Sequence, residues 1–334
     1  MNIAIALLPV LAFLVGLSLM DSFKLVALRH VLRSLAGGAV AALVSAWLIE
    51  GTPLATMPDA LIVGWIGPIV EECGKALLVA WLVWTRRVGF LVDAAVLGFA
   101  VGAGFALVEN VVYLRALADA PLGLWLVRGL GTAVMHGGTT AVFAMLARTL
   151  VDRYPRHKPL AMLPGLGAAM AVHVAFNHLL LPPLAQTALV LVALPLLMTT
   201  VFERSERVTR EWVGAGLDLD IELLQLVTSE FFGVTRIASY LQELRARFPG
   251  PVVADMFCLL RLELELSVQA KALVLARGAG LHLPADEDLA IALGEYDFLR
   301  RSIGRTGMLA LGPVQVVSDH DDWHRHLLAQ ARGG

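Results

Sequence analysis

Seven stretches of this chain are apolar over a length that can cross a bilayer, and that restricts the fold more than any other feature. A spanning helix needs about 17 to 25 residues, and the runs at residues 3–20, 34–49, 60–84, 91–114, 122–147, 160–181 and 184–202 meet or approach that length. The second run is the shortest, and the Pro182-Pro183 pair leaves only a tight hairpin between the last two. Composition agrees: 58% of the 334 residues are hydrophobic and 16% are charged, against roughly half and about a quarter in soluble domains. The expected fold class is all-α, a polytopic membrane helix bundle of about seven transmembrane helices.

Loop charges predict the orientation, because cytoplasmic loops are enriched in Lys and Arg. Lys24, Arg29 and Arg33 follow the first run, Arg86 and Arg87 the third, and Arg148, Arg153, Arg156 and Lys158 the fifth. The alternate loops carry little more than Arg115 and Arg128, so the N-terminus is expected outside and everything after Phe202 in the cytoplasm. Residues 2–20 have no basic leader and no small-residue cleavage motif, and read as a retained helix. From Glu203 the sequence turns abruptly charged, which divides the chain into a membrane domain, 1–203, and a helical tail, 204–334. Apolar residues recur at helical spacing over 218–247 and 254–276, with Pro249-Gly250-Pro251 as a break between them. A net charge of −2 and the lack of a basic stripe argue against a nucleic-acid partner. Two cysteines, Cys73 and Cys258, do not make a disulfide framework.

The apolar runs are interrupted by polar residues that cannot face lipid cheaply. The run at 60–84 holds Glu71, Glu72 and Lys75; the next holds Glu109 and Asn110; the fifth holds His136; the sixth holds His173, Asn177 and His178. A charged group at mid-membrane costs about 2.5 to 3.5 kcal/mol on insertion scales, so these side chains are expected to converge. Helical spacing allows it: Glu71 with Lys75, Glu72 with Lys75, Phe105 with Glu109, and His173 with Asn177 each lie three or four residues apart, on one face. At about 1.5 Å per residue, Glu71, His136 and His173 fall near mid-bilayer, with Glu109 and Asn177 nearer the outer side.

The order of these motifs resembles a known family. Glu71-Glu72-x-x-Lys75 is similar to E-E-x-x-K, Phe105-x-x-x-Glu109-Asn110 to F-x-x-x-E-N, and His173-x-x-x-Asn177 to H-x-x-x-N, with the single His136 between the last two. Together they resemble the PrsW family of intramembrane proteases, distant relatives of the CAAX prenyl endopeptidases and bacteriocin-immunity membrane proteases. The resemblance covers about residues 51–181 and leaves the tail aside. It implies an integral protein of a bacterial-type cell membrane that cleaves a single-pass membrane protein of the anti-sigma-factor type, with membrane lipid as its surroundings.

Peptide hydrolysis needs an activated water and donors for the oxyanion. Glu71 or Glu72, helped by Glu109 or His136, is the candidate base. His173 and Asn177 are the candidate oxyanion donors, by analogy with the CAAX enzymes, and Lys75 and Asn110 support the set. No cofactor is required in this reading. A zinc-dependent version would use Glu71, Glu109, His136 and His173 as ligands, although no H-E-x-x-H occurs and Lys75 beside the acids opposes a cation. A proton- or ion-coupled transporter and a non-catalytic sensor or scaffold are the alternatives from other classes.

Each residue also has a structural reading. The acids with Lys75 can be an ion-pair cluster that fixes helix register, Glu109 with Asn110 an interhelical hydrogen-bonding pair, and His136 a satisfied core histidine. His178 projects to a different face from His173 and is expected outside the site. Asp93 and Arg128, near run ends, are expected at the membrane interface. Pro68 is expected to kink its helix just before the acids. In the tail, His320, Asp322, His324 and His326 read as a solvated helix start in preference to a metal site.

Overall fold

The computed structural model describes residues 2–116, 120–281, 287–314 and 327–328, and the described residues include no β-strand. The chain divides into two compact units, Met1–Glu206 and Arg207–Gly334. In the first unit lie α1 (Asn2–Met20), α2 (Leu28–Glu50), α3 (Gly67–Trp84), α4 (Leu91–Ala116), α5 (Ala133–Arg153) and α6 (Lys158–Asn177). Helix α7 (Pro183–Thr228) begins in the first unit, and its residues after Glu206 belong to the second.

Among the described residues, six helices are long and apolar enough to cross a membrane. The run of the sequence not among these six, residues 60–84, is α3 with the helical turns before it, which carries Glu71, Glu72 and Lys75 in its interior. The bundle is thus the all-α polytopic one expected from the apolar runs. The helix beginning at Pro183 does not stop where the composition changes at Glu203: Glu, Arg and Leu all propagate a helix, and the first lasting break falls at Ser229.

Helix α4 is the centre of the membrane unit. It packs against α1, α2 and α5, and from Val92 to Ala106 every residue is buried. Its glycines permit this. A methyl group at Gly104 would fall 1.8 Å from the carbonyl oxygen of Leu35 in α2, and one at Gly102 would fall 2.1 Å from that of His136 in α5. Backbones can approach this closely only over small residues, the usual means of helix contact in membranes. Helix α3 meets both α5 and α6, so the acids face the two histidine-bearing helices.

Two segments depart from α-geometry. Ile62–Ile66, just before α3, and Val127–Thr132, just before α5, are π-helical. The first has a local cause. The Gly67 N–H bonds to the Ile62 carbonyl, so Val63 would look to residue 68 for a donor, and Pro68 has none. The expected disturbance before the acids is thus a widened turn.

In the second unit, α8 (Arg236–Leu244), α9 (Gly250–Gly278) and α10 (Glu287–Leu311) bury apolar faces that include Leu241, Met256, Leu259 and Leu299. Helix α10 is interrupted at Gly304, whose φ of 69° requires glycine. Lys271, buried on α9, donates to Asp220 Oδ2 at 2.5 Å and to the Gly216 carbonyl at 2.9 Å. The histidines at 320, 324 and 326 lie outside the described residues.

Candidate active site

The polar residues singled out above meet between α3, α4, α5 and α6. Lys75 is fully buried, and its Nζ donates to Glu72 Oε1 at 2.5 Å and to His136 Nδ1 at 3.0 Å, above the Phe105 ring. Glu72, 2% exposed, also accepts from His173 Nδ1 at 2.8 Å. One carboxylate oxygen therefore anchors a lysine and a histidine from different helices. The His136 and His173 rings stand edge to face, 4.7 Å apart.

A second branch runs from His136. Its Nε2 donates to Glu109 Oε2 at 3.0 Å, the tautomer consistent with Nδ1 accepting from Lys75. Glu109 Oε1 forms an ion pair with Arg128 Nη2 at 3.1 Å, and Arg128 Nε donates to Asn110 Oδ1 at 3.2 Å. Asn110 Nδ2 in turn donates to the Ala6 carbonyl of α1 at 2.8 Å. The result is a continuous chain from His173 through Glu72, Lys75, His136, Glu109 and Arg128 to Asn110. Buried charges need this degree of pairing, because a carboxylate left alone in a low-dielectric interior is strongly destabilising.

Glu71 stands outside that chain. Its Oε2 is buried and has no hydrogen-bond partner, and it lies 3.9 Å from His173 Nε2. Because His173 Nδ1–H is committed to Glu72, Nε2 presents a lone pair toward Glu71. Glu71, His136 and His173 each offer one ligand atom, and these atoms lie within 4.8 Å of one another. All three line a cavity of about 520 Å³, together with Arg128, Tyr113 and Asn177. Most of its remaining wall is apolar, from α2, α4 and the π-helical turns.

The placement differs from the sequence reading in several respects. Asn177 reaches the cavity, but its Nδ2 donates to the Val63 carbonyl at 2.9 Å, the acceptor that Pro68 leaves without a donor. Arg128, expected at the interface, is instead a largely buried partner of Glu109, its guanidinium 3.5 Å above the Tyr113 ring. Asp93 is also buried, accepting from the Gly89 and Phe90 amides at the start of α4. His178 stays apart as expected, edge-on to Trp65.

Arg128 is the member of the cluster that the sequence reading placed elsewhere. It lies eight residues before His136, about 80° away around a regular α-helix. The π-helical turn between them absorbs one residue and returns both to one face. The signal for it was the cost of an arginine inside an apolar run.

A family model described as PrsW family intramembrane metalloprotease matches residues 26–201, the stretch that holds every residue of this cluster. No curated protein and no solved structure matches the chain.

Proposed function

The chain belongs to the PrsW family of intramembrane proteases, and from that premise we propose that it hydrolyses a peptide bond with a water held between Glu71 Oε2 and His173 Nε2. One observation carries this reading: those two atoms, an unsatisfied carboxylate oxygen and an imidazole lone pair, face each other 3.9 Å apart in the wall of the cavity. Every other buried carboxylate of the cluster is already engaged by a cation or a histidine.

Glu71 takes one proton of the water as its oxygen attacks the scissile carbonyl, whose π electrons move to oxygen. When the tetrahedral adduct collapses, the C–N bond breaks and the protonated Glu71 returns its proton to the leaving amine. His173 Nε2 accepts a hydrogen bond from the water's second O–H, which stays on the new carboxyl group, and its ring is held by Glu72 and thus indirectly by Lys75. Arg128 Nη2, which lies near Glu109 but outside hydrogen-bonding geometry with any acceptor, stabilises the oxyanion. These donors are fixed before reaction and sit away from bulk water, where they act most strongly. Asn177 in this scheme holds the wall of the site, and Glu109 orients His136.

A metal-dependent version is the second reading, favoured by the convergence of Glu71, His136 and His173. The donor set fits a divalent ion: Glu71 Oε2 is unsatisfied, and His173 has a carboxylate on its other ring nitrogen, the usual support of a ligating histidine. Glu71, His136 and His173 would hold the ion, with Glu109 beside them. Zinc bound there would lower the pKa of its water to about 7. Against it, both His136 nitrogens are engaged, by Lys75 and Glu109, so we prefer direct activation by Glu71.

The apolar cavity wall suits a membrane-embedded peptide, and we assign as substrate a single-pass membrane protein of the anti-sigma-factor type that the family resemblance implies. Loop charges support an N-terminus outside and a cytoplasmic tail. The test is cleavage of a co-reconstituted single-pass substrate by wild-type protein and by Glu71→Gln and His173→Ala variants. Both variants should be inactive, and normal cleavage by either would overturn the assignment.

A further inference from the structure

A second cavity, of about 50 Å³, lies among α2, α3 and α4, and its lining has a different chemistry. His30, Arg33 and Ser34 reach it from α2, Trp81 from α3, and Arg87 from the turn after α3. No acidic residue is among its described lining. Arg29, Arg33 and Arg87 are the charged neighbours of His30. Three basic side chains from two segments are thus directed to one small space beside an indole.

The turn that delivers Arg87 is specific. The Arg86 N–H bonds to the Val83 carbonyl at 3.1 Å and the Arg87 N–H to the Leu82 carbonyl at 3.0 Å. This is the paired closure of a Schellman motif, whose left-handed residue is usually glycine. Here it is Arg86, at φ 55°. The closure folds Arg87 back so that its guanidinium lies 4.3 Å above the Trp81 ring. Beside the cavity, Leu77 and Trp84 on α3 and Leu32 on α2 are exposed, as is part of Trp81 itself, a surface that meets acyl chains in a membrane. Tryptophan at a helix end marks the headgroup level.

We propose that this cavity is a binding site for an anionic phospholipid, its phosphodiester held by Arg33 and Arg87 and its acyl chains lying along Leu77 and Trp81. Guanidinium groups suit phosphate because they donate in parallel pairs, and basic pockets between transmembrane helices bind anionic headgroups in this way. Arg87 contributes its charge and, through its stacking on Trp81, a fixed orientation.

The test uses the full chain released from mixed micelles of phosphatidylglycerol and phosphatidylcholine, with bound lipid counted by native mass spectrometry. Wild-type protein should retain phosphatidylglycerol in preference. Each arginine near an anionic surface is worth about fivefold in binding, so Arg33→Gln with Arg87→Gln should lower retention about thirtyfold. Arg156→Gln, an exposed arginine away from the cavity, controls for general surface charge and should retain the lipid. Equal loss in the control, or undiminished retention in the double variant, would overturn the proposal. Displacement of the lipid by an equal concentration of inorganic phosphate would overturn the lipid as occupant. As a readout on unaltered protein, a phosphatidylglycerol with a photoreactive acyl chain should label the α3 peptide containing Leu77 and Trp81. Labelling elsewhere but not on that peptide would likewise refute the site.

Discussion

His173 Nδ1 lies 2.8 Å from Glu72 Oε1, the same oxygen that accepts from Lys75 at 2.5 Å. In the proposed mechanism this contact gives the two adjacent glutamates different jobs. Glu72 then acts as a structural link, its Oε1 bonded to His173 of α6 and to Lys75 of its own helix. Glu71, one residue earlier, keeps an unsatisfied oxygen.

Glu71→Gln and Glu72→Gln should therefore fail differently. The first is expected to abolish cleavage with little change in thermal midpoint, since it breaks no pairing. The second removes a buried charge from Lys75 and His173, a loss of about 3 to 5 kcal/mol for a broken buried pair, and should lower the midpoint in detergent. A stable and active Glu71→Gln protein would contradict the division.

Arg128→Lys keeps the positive charge but cannot serve Glu109, Asn110 and the oxyanion together, because an ammonium lacks the planar fork. It should lower kcat by about 10²- to 10³-fold, the usual loss for one oxyanion donor, while KM stays near the wild-type value. A rise in KM at unchanged kcat would instead make Arg128 a substrate-binding group.

At Gly102 there is no room for a methyl group, which would fall 2.1 Å from the His136 carbonyl oxygen. Gly102→Ala should push α5 from α4, destabilise the bundle by about 1 to 3 kcal/mol, and reduce cleavage. Gly167→Ala on α6 meets nothing within 4 Å and should leave both unchanged. Similar midpoints for the two variants would show that α4 and α5 are not so closely packed.

Asn177→Ala should cost about 1 to 3 kcal/mol by leaving the Val63 carbonyl without a donor. Pro68→Ala supplies a backbone N–H at the position where that donor is lacking. The double variant should recover part of the loss, and a double-mutant cycle on thermal midpoints measures it. Strict additivity would sever the link between these two residues.

Cleavage is expected to persist in chelator-treated protein, and metal analysis of the purified chain should find no stoichiometric ion. Stoichiometric zinc that is lost in His173→Ala, together with chelator-sensitive cleavage, would move water activation from Glu71 to the metal.

The helical class was legible because apolar runs of spanning length leave the backbone few alternatives. The convergence of Glu71, Glu72, Lys75, Glu109, His136 and His173 was legible for a related reason, since groups that lipid rejects must find one another. Arg128 and the true partner of Asn177 were not. Both depend on π-helical turns, which shift a face by one residue without changing the apolar pattern that periodicity reads. The continuation of α7 beyond Glu203 was hidden differently: charge marks a change of surroundings, whereas ending a helix takes a change in backbone preference.

The widened turn at Val127–Thr132 has a consequence for how such chains diverge. A π turn is an α-helix that has gained one residue, so a homologue without it should be one residue shorter between the counterparts of Arg128 and His136. A chain that lost the residue would hold its arginine and histidine seven apart on one face of a regular helix, whereas one that straightened the turn and kept all eight positions would turn the arginine away from the cavity. Spacing and helix type must therefore be read together at this point: seven residues in a regular helix, or eight with the widened turn, both keep the arginine at the site.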